Sequence, residues 1–299
     1  MLFENLKAFA AVIECESITK AADRLCLTQS AVSRRIQHLE ESLGTELFDR
    51  DTRPPSPTAL AMRIYDSAIV LIRNADELSS IASGDTLPSG RYRIGLVQVI
   101  ADNVVFETVS ILKKTFPSLK IHLITNWASE LEKMIVSGNL DVATLLKESP
   151  SNLPSGLSGT LIDTSKIAIV QSLKFPLVKR KATLQSLSRH EWILNPKGCK
   201  YRDLLESSMK SHGGAIKESI EIYGTEMQMK MVAAGLGLGL VPEKTLIDCS
   251  WGRDIKVIDV VNYSLEVDMW IAHSTIQGNL WKANDLLIKS IKRVCGNYQ

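Results

Sequence analysis

Residues 17–44 read SITKAADRLCLTQSAVSRRIQHLEESLG, and they predict two short helices separated by a tight turn. Ser17 stands where an N-cap is needed, because its hydroxyl can accept a hydrogen bond from a free amide of the first helical turn. A helix follows through Leu25, with the small Ala21 and Ala22 on its inner face so that a second helix can cross closely. Cys26 and Leu27 make the turn, and Thr28 is a second cap. From Gln29 the apolar set Ala31, Val32, Ile36, Leu39 and Leu43 recurs at helical spacing until Gly44 stops the helix. Gln29, Ser30, Ser33, Arg34 and Gln37 lie outside that stripe. Such a pair fits a helix-turn-helix, and it also fits a plain helical hairpin with a solvated polar face. These residues alone leave both open.

Upstream, Leu2, Leu6, Phe9, Ala10 and Ile13 mark a preceding helix. Downstream, Leu47 and Phe48 lead into Asp49–Pro55, a turn with Arg50 and Arg53 that reads as a β-wing or as a charged surface loop. Thr58 caps a long helix to about Ser83, striped by Leu60, Ile64, Ala68, Leu71, Ala75, Leu78 and Ala82. A helix that long needs its stripe buried, and a second copy of itself is the expected cover. Gly84 to Gly90 is a hinge. From Arg91 the pattern changes. Strands at Ile94–Val97, Leu119–Thr125 and Leu140–Leu146 alternate with helices near Val104–Phe116 and Glu130–Ser137. That alternation predicts βαβ units on a parallel sheet. It resumes after Ile162, and an amphipathic helix over Ile276–Val294 closes the chain.

Composition narrows the function. The chain has 299 residues and a formal net charge of +2. No stretch approaches the roughly 20 apolar residues of a membrane span, and no signal pattern opens the chain, so a cytoplasmic location is expected. Residues 1–58 hold seven Lys/Arg against nine Asp/Glu, so any DNA contact must rest on placement. Between Asp23 and Glu40 there is no acidic residue, while Arg24, Arg34 and Arg35 lie inside that window. Cys15, Cys26, Cys199, Cys249 and Cys295 form no CxxC or Cys/His cluster, so neither a disulfide framework nor a metal site is expected. The Gly235-Leu-Gly-Leu-Gly run follows a helix and precedes a strand, the reverse of a dinucleotide-binding loop. With no triad or carboxylate pair evident, an enzyme is not expected, nor is any cofactor.

Leu6, Phe9, Val12, Ser17, Ala21-Ala22, Leu25, Gln29, Ala31-Val32-Ser33, Ile36, Leu39-Glu40, Leu43-Gly44, Leu47-Phe48 and Arg50 together resemble the LysR-type family of bacterial transcription regulators. Looser matches follow at Pro117, Gly138–Asp141, Pro176-Leu177 and Ala233–Pro242. The resemblance implies an N-terminal all-α winged helix-turn-helix with a long linker helix, then an α/β two-lobed effector domain similar to periplasmic solute-binding proteins. The domains would be residues 1–58, 59–90 and 91–299. One lobe would take about 91–162 with 267–299 and the other about 163–266, with crossovers near Ile162–Ser165 and Leu265–Asp268.

Under the same resemblance the partners are double-stranded promoter or operator DNA, a small-molecule effector, and further copies in a homodimer or homotetramer. Gln29, Ser30, Ser33 and Arg34, with Gln37 beside them, would approach base edges, since Gln suits adenine and Arg suits guanine. Arg35, Arg50 and Arg53 would meet phosphates or the minor groove. Ser30 replaces a proline frequent there. The wing ends Pro57-Thr58-Ala59-Leu60-Ala61, where relatives commonly carry Leu-Thr-Glu-Ala-Gly.

In an open α/β sheet, ligands bind past the carboxyl ends of strands. That places effector contacts at Gln98, Val99 and Ile100, and at Trp127, Ala128 and Ser129. Opposite them would stand Cys199, Lys200 and Tyr201, with Thr225 and Met227. Val99 and Ala128 stand where small polar residues are frequent in the family, and Trp127 where glycine is, which predicts a comparatively apolar cleft. Lys147, Lys200 and Arg202 are candidate partners for an anionic ligand. Cys199 is a candidate redox thiol whose thiolate Lys200 would favour, with Cys249 its nearest cysteine in sequence.

Overall fold

A computed structural model of the chain describes residues 2–49, 56–82, 87–275 and 277–296. They form two compact units. The first comprises Met1–Leu87 with Ser137–Asn139 and Ile276–Asn279; the second comprises Pro88–Val136, Leu140–Thr275 and Leu280–Gln299. Arg50 and Arg53 lie outside the described residues, as do residues 84–86 of the expected hinge.

The first unit begins with α1 (Leu2–Cys15), α2 (Ile18–Leu25) and α3 (Gln29–Leu43). Both expected caps are made: Ser17 Oγ accepts from the Lys20 amide and Thr28 Oγ1 from the Ala31 amide, at 3.3 and 3.2 Å. Gly44 ends α3 in the left-handed region at φ 65°. Leu6, Phe9, Val12, Ala21, Ala22, Val32, Ile36 and Leu39 share one core, with Phe9 edge-on to Phe48 at 5.9 Å. Two-residue strands β1 (Phe48–Asp49) and β2 (Ser56–Pro57) pair antiparallel at the base of the wing, so this unit is not purely helical. Buried Glu40 holds that base by accepting from the amides of Leu47 and Phe48.

The long helix α4 runs Ala59–Ala82. Its expected stripe divides. Ala61, Ile64, Tyr65 and Ala68 pack on the helix-turn-helix core, whereas Leu60, Leu71 and Leu78 are exposed.

Cys26 sits in the turn at φ 55°, a left-handed conformation that a Cβ disfavours by about 1–2 kcal/mol. Its side chain is exposed. Cys26→Gly is therefore expected to stabilise the protein by on the order of 0.5–1 kcal/mol, because the strain removed exceeds the extra backbone entropy of glycine. A thermal melt that is unchanged or lowered would refute this account of the turn.

The second unit contains β3 (Gly90–Val97), α5 (Gln98–Thr115), β4 (Leu119–Asn126), α6 (Ala128–Val136), β5 (Val142–Glu148) and β6 (Leu157–Ser172). Then come α7 (Leu184–Leu187), β7 (Glu191–Leu194), α8 (Lys200–Ser211), β8 (Lys217–Glu221), α9 (Thr225–Ala233) and β9 (Gly239–Pro242). The last elements are α10 (Thr245–Asp248), β10 (Ile255–Val257), β11 (Leu265–Ser274) and α11 (Trp281–Gly296). The main sheet runs β4-β3-β5-β11-β6-β10, with β9 also on β6, and β7-β8 form a second sheet.

The expectation of a parallel sheet is corrected. β3 pairs parallel with β4 and β5, and β7 with β8, but β11 is antiparallel to both β5 and β6. The return strand β11 enters from the far lobe and so arrives in the opposite sense. β6 spans both lobes: residues 157–167 pair with β11 and residues 167–172 with β9 and β10. Where the two long strands cross, buried Asp268 accepts from the Ser151 amide and hydroxyl and from Thr164 Oγ1. Burial pushes this carboxyl up, but hydrogen bonds from Ser151, Thr164 and Ser149 outweigh it and hold it below the usual carboxylate range.

Candidate functional site: a nucleic-acid face and an effector cleft

Gln29, Ser30, Ser33, Arg34 and Gln37 are all exposed along α3, while Val32, Ile36 and Leu39 are buried beneath them. The helical period separates an exposed polar face from the core. Charge is distributed more sparingly than the sequence suggested. Arg24 Nη1 is 2.5 Å from Glu14 Oε2, and Tyr65 donates to the other oxygen of that carboxylate. Arg35, expected at phosphate, instead donates to Glu4 Oε2 at 3.0 Å. Its place in the helix turns it toward α1, where an acid waits. Arg34 has no carboxylate partner among the described residues. Ser30 Oγ lies 3.0 Å from Thr28 Oγ1 and so extends the cap.

In the second unit a cavity of about 490 Å³ opens between the lobes. Of the expected residues, Gln98, Trp127, Ala128, Cys199, Lys200, Tyr201 and Thr225 line it. Ser129 and Met227 do not: each is exposed, one step round its helix from a lining neighbour. The side chains of Val99 and Ile100 lie outside the described residues.

The helices α5, α8 and α9 begin at this cavity, and no side-chain hydrogen bond caps any of them. The positive ends of their dipoles therefore face it, with the Tyr201 and Arg202 amides of α8 taken by the Cys199 thiol. Trp127 stacks on Tyr223 with ring centroids 5.9 Å apart and planes 18° from parallel. Gly198, at φ 97°, comes so close that a Cβ there would lie 3.0 Å from the Trp127 ring. Trp127 thus serves as wall and as lobe contact together, and Leu146, Val267 and Met269 extend the apolar lining.

Sequence reasoning missed Asp163 and Ser165, which line the cavity from β6, and Lys244 and Thr245, which follow β9. Asp163 Oδ1 is 2.5 Å from Lys244 Nζ, and Ser165 donates to its other oxygen. The available signal was the two-residue spacing of Asp163 and Ser165, which puts both on one face of a strand.

Two candidate cations are spent elsewhere. Arg202 is buried among Glu206, Glu218, Glu221 and the Asn195 carbonyl, and Lys147 pairs with Glu132 at 3.0 Å. Lys200 has no such partner among the described residues. The suggestion that Lys200 favours a Cys199 thiolate is corrected as well. Burial pushes that thiol up, and the amides of Arg202 and Tyr201 pull it only partly back. Cys249 lines the same cavity, but a protonated Cys199 is a poor nucleophile.

Among the described residues no group of three or more His, Cys, Asp or Glu is placed to hold a metal ion. Nor is any helix among them long and apolar enough to cross a membrane.

The family model for bacterial regulatory helix-turn-helix proteins of the lysR family matches residues 3–62, and that for the LysR substrate binding domain matches residues 85–278. The HTH-type transcriptional regulator BenM of Acinetobacter baylyi is 28% identical over 252 residues, covering 82% of this chain and 81% of BenM. A full-length OxyR structure from Pseudomonas aeruginosa superposes with a TM-score of 0.75 at 18% identity, covering 98% of this chain and 94% of that one. Full-length CbnR, solved with its target DNA, gives 0.53 at 19% identity, covering 98% of this chain and all of CbnR (100%). The chain belongs to the LysR family: it is a DNA-binding transcription regulator with a helix-turn-helix and a substrate-binding domain.

Proposed function

We propose that this regulator reads operator DNA with Gln29, Ser33 and Arg34, aided by Ser30 and Gln37, and that a small molecule in the interlobe cleft biases its DNA contacts. The observation that carries the first half is the exposed polar face of α3 with a single uncommitted guanidinium. The cavity between the lobes, ringed by uncapped helix starts, supports the second. Residues 1–58 act as the DNA reader, 59–90 as linker and 91–299 as effector domain. The exposed Leu60, Leu71 and Leu78 favour pairing of two α4 helices, giving a homodimer that pairs again into a tetramer. Arg50 and Arg53 join as phosphate or minor-groove contacts from the wing. The protein acts by binding and not by catalysis, within the cytoplasm.

A ligand shifts such a protein only through different affinities for its two states. Fluorescence anisotropy on the intergenic DNA beside the gene, against shuffled DNA of equal length, tests the reading. Specific over non-specific preference of about a thousandfold or more is expected at physiological salt. Equal affinity for the two would sink it.

A further inference from the structure

The lobe that carries β7, α8 and α9 has a surface that neither the DNA face nor the cleft uses. From Thr164 to His190 the chain holds no acidic residue against six Lys/Arg. Within that window the loop after β6 presents Leu173, Phe175 and Leu177 to solvent. Phe175 packs on the turn after α9, where Gly235 has φ 82° and a Cβ would lie 2.9 Å from the Phe175 side chain. The next residue, Leu236, is exposed too, and all four apolar side chains are between 41% and 54% exposed. A single exposed leucine needs no explanation, but a group of this kind marks a contact surface.

The loop is held in place from beneath. The Gln171 side chain closes it as a backbone pair would, donating to the Val178 carbonyl and accepting from the Val178 amide, both at 2.8 Å. Ser172 Oγ donates to the Ala233 carbonyl at 2.8 Å and accepts from the Phe175 amide at 3.1 Å. The Leu173 amide donates to the Asp254 carbonyl at 2.8 Å. Gln171 and Ser172 are buried, so the core fixes the apolar side chains in an outward position. A surface fixed in advance loses little entropy when a partner docks.

Charge says what that partner is. Lys179 and Arg180 follow the loop and have no carboxylate partner among the described residues, and Lys174 lies over the Phe175 ring at 5.3 Å. Of the acids alongside, Glu191 is met by Lys217 at 2.9 Å and Asp259 by Lys181 at 3.1 Å. That leaves Asp254 to offset Lys174, Lys179 and Arg180. We propose that this face docks an acidic protein segment, with a large apolar side chain against Phe175 and carboxylates against the three cations. DNA would set the four apolar side chains against phosphate and sugar. A bilayer would strip water from the ammonium that lies over the ring, whereas an acidic segment meets ring and ammonium together.

The test offers a random dodecapeptide library to the full-length protein and measures the selected peptides by fluorescence polarisation. They are expected to combine net negative charge with leucine or an aromatic residue, and to weaken as salt rises. Phe175→Ser is expected to reduce their affinity by at least about tenfold. Lys179→Glu with Arg180→Glu should reduce it by about tenfold, mainly through slower association. Both variants change exposed side chains, so melting temperature and operator binding should stay as in wild type. A loop that is merely structural would give a lower melting temperature in Phe175→Ser with no loss of peptide.

Selected peptides without net negative charge, or binding to both variants as tight as to wild type, overturn the inference. Three further results overturn it by assigning the face elsewhere. Altered sedimentation of Phe175→Ser would make it a contact between copies of this chain. Phosphatidylglycerol vesicles that retain wild type but not Phe175→Ser would make it a membrane contact. Weaker operator binding by Lys179→Glu with Arg180→Glu would make it a DNA contact.

Discussion

Arg93→Ala is expected to lower folding stability by about 3–5 kcal/mol, enough to threaten the whole second unit. Arg93 and Asp141 join β3 to the start of β5. The Arg93 amide and Nε both donate to Asp141 Oδ2, at 2.7 and 3.2 Å, and Nη2 donates to Oδ1 at 3.1 Å. The Asp141 side chain is only 8% exposed and that of Arg93 14%. Truncating the arginine leaves a largely buried carboxylate with the residue-93 amide bond and the charge of Arg91 but without the guanidinium that meets both its oxygens, and this is costlier than the pair itself is favourable.

The pH dependence carries the sign. Burial raises the Asp141 carboxyl above its usual value, and the Arg93 charge and hydrogen bonds offset this only in part. A carboxyl whose folded value is raised contributes stability that is present in full below the unfolded value of 3.8 and lost as pH rises through the folded value. In Arg93→Ala the raising is stronger, so the deficit relative to wild type should shrink on acidification toward that range. The double variant Arg93→Met/Asp141→Leu should recover most of the loss. Denaturant melts at several pH values check all three. A single-variant loss below about 1 kcal/mol would show that the carboxylate finds other partners.

Arg34→Ala is expected to weaken operator binding by about 5- to 150-fold, corresponding to about 1–3 kcal/mol, and to relax preference at one base position. It is the uncommitted cation on the exposed face of α3, so no neighbouring charge compensates for it. Arg35→Ala provides the contrast. Its partner Glu4 is more than half exposed, so the pair adds within about 1 kcal/mol to stability and operator affinity should change little. Anisotropy titrations on operators with single base changes distinguish the two. Equal losses for both arginines would mean that charge, and not placement, governs recognition.

Much of the reader was legible in the chain itself. Caps at Ser17 and Thr28, the stripe from Val32 to Leu39 and the stop at Gly44 are local: each depends on residues within one or two helical turns. What was not legible at the DNA face is charge pairing. Glu14 and Glu4 lie 10 and 31 residues from the arginines they neutralise, and only the packing of α1 against α2 and α3 brings them together. The cleft divides the same way. Gln98, Trp127 and Thr225 follow from the rule that ligands sit past strand ends. Asp163, Ser165 and Lys244 come from the crossover strand β6 and the loop after β9; the two-residue spacing of Asp163 and Ser165 puts them on one strand face, but only the tertiary structure turns that face, and Lys244, to the cavity.

The sequence by itself determined that residues 17–44 form two capped helices with a polar outer face, because helix period and capping are short-range properties. Only the tertiary structure decided which polar groups on those helices and around the cleft are free to act. A guanidinium, ammonium or hydroxyl is available only if the fold has not already placed an acid or a carbonyl against it. Among the described residues, for Arg34 and Lys200 it has not; for Arg24, Arg35 and Arg202 it has.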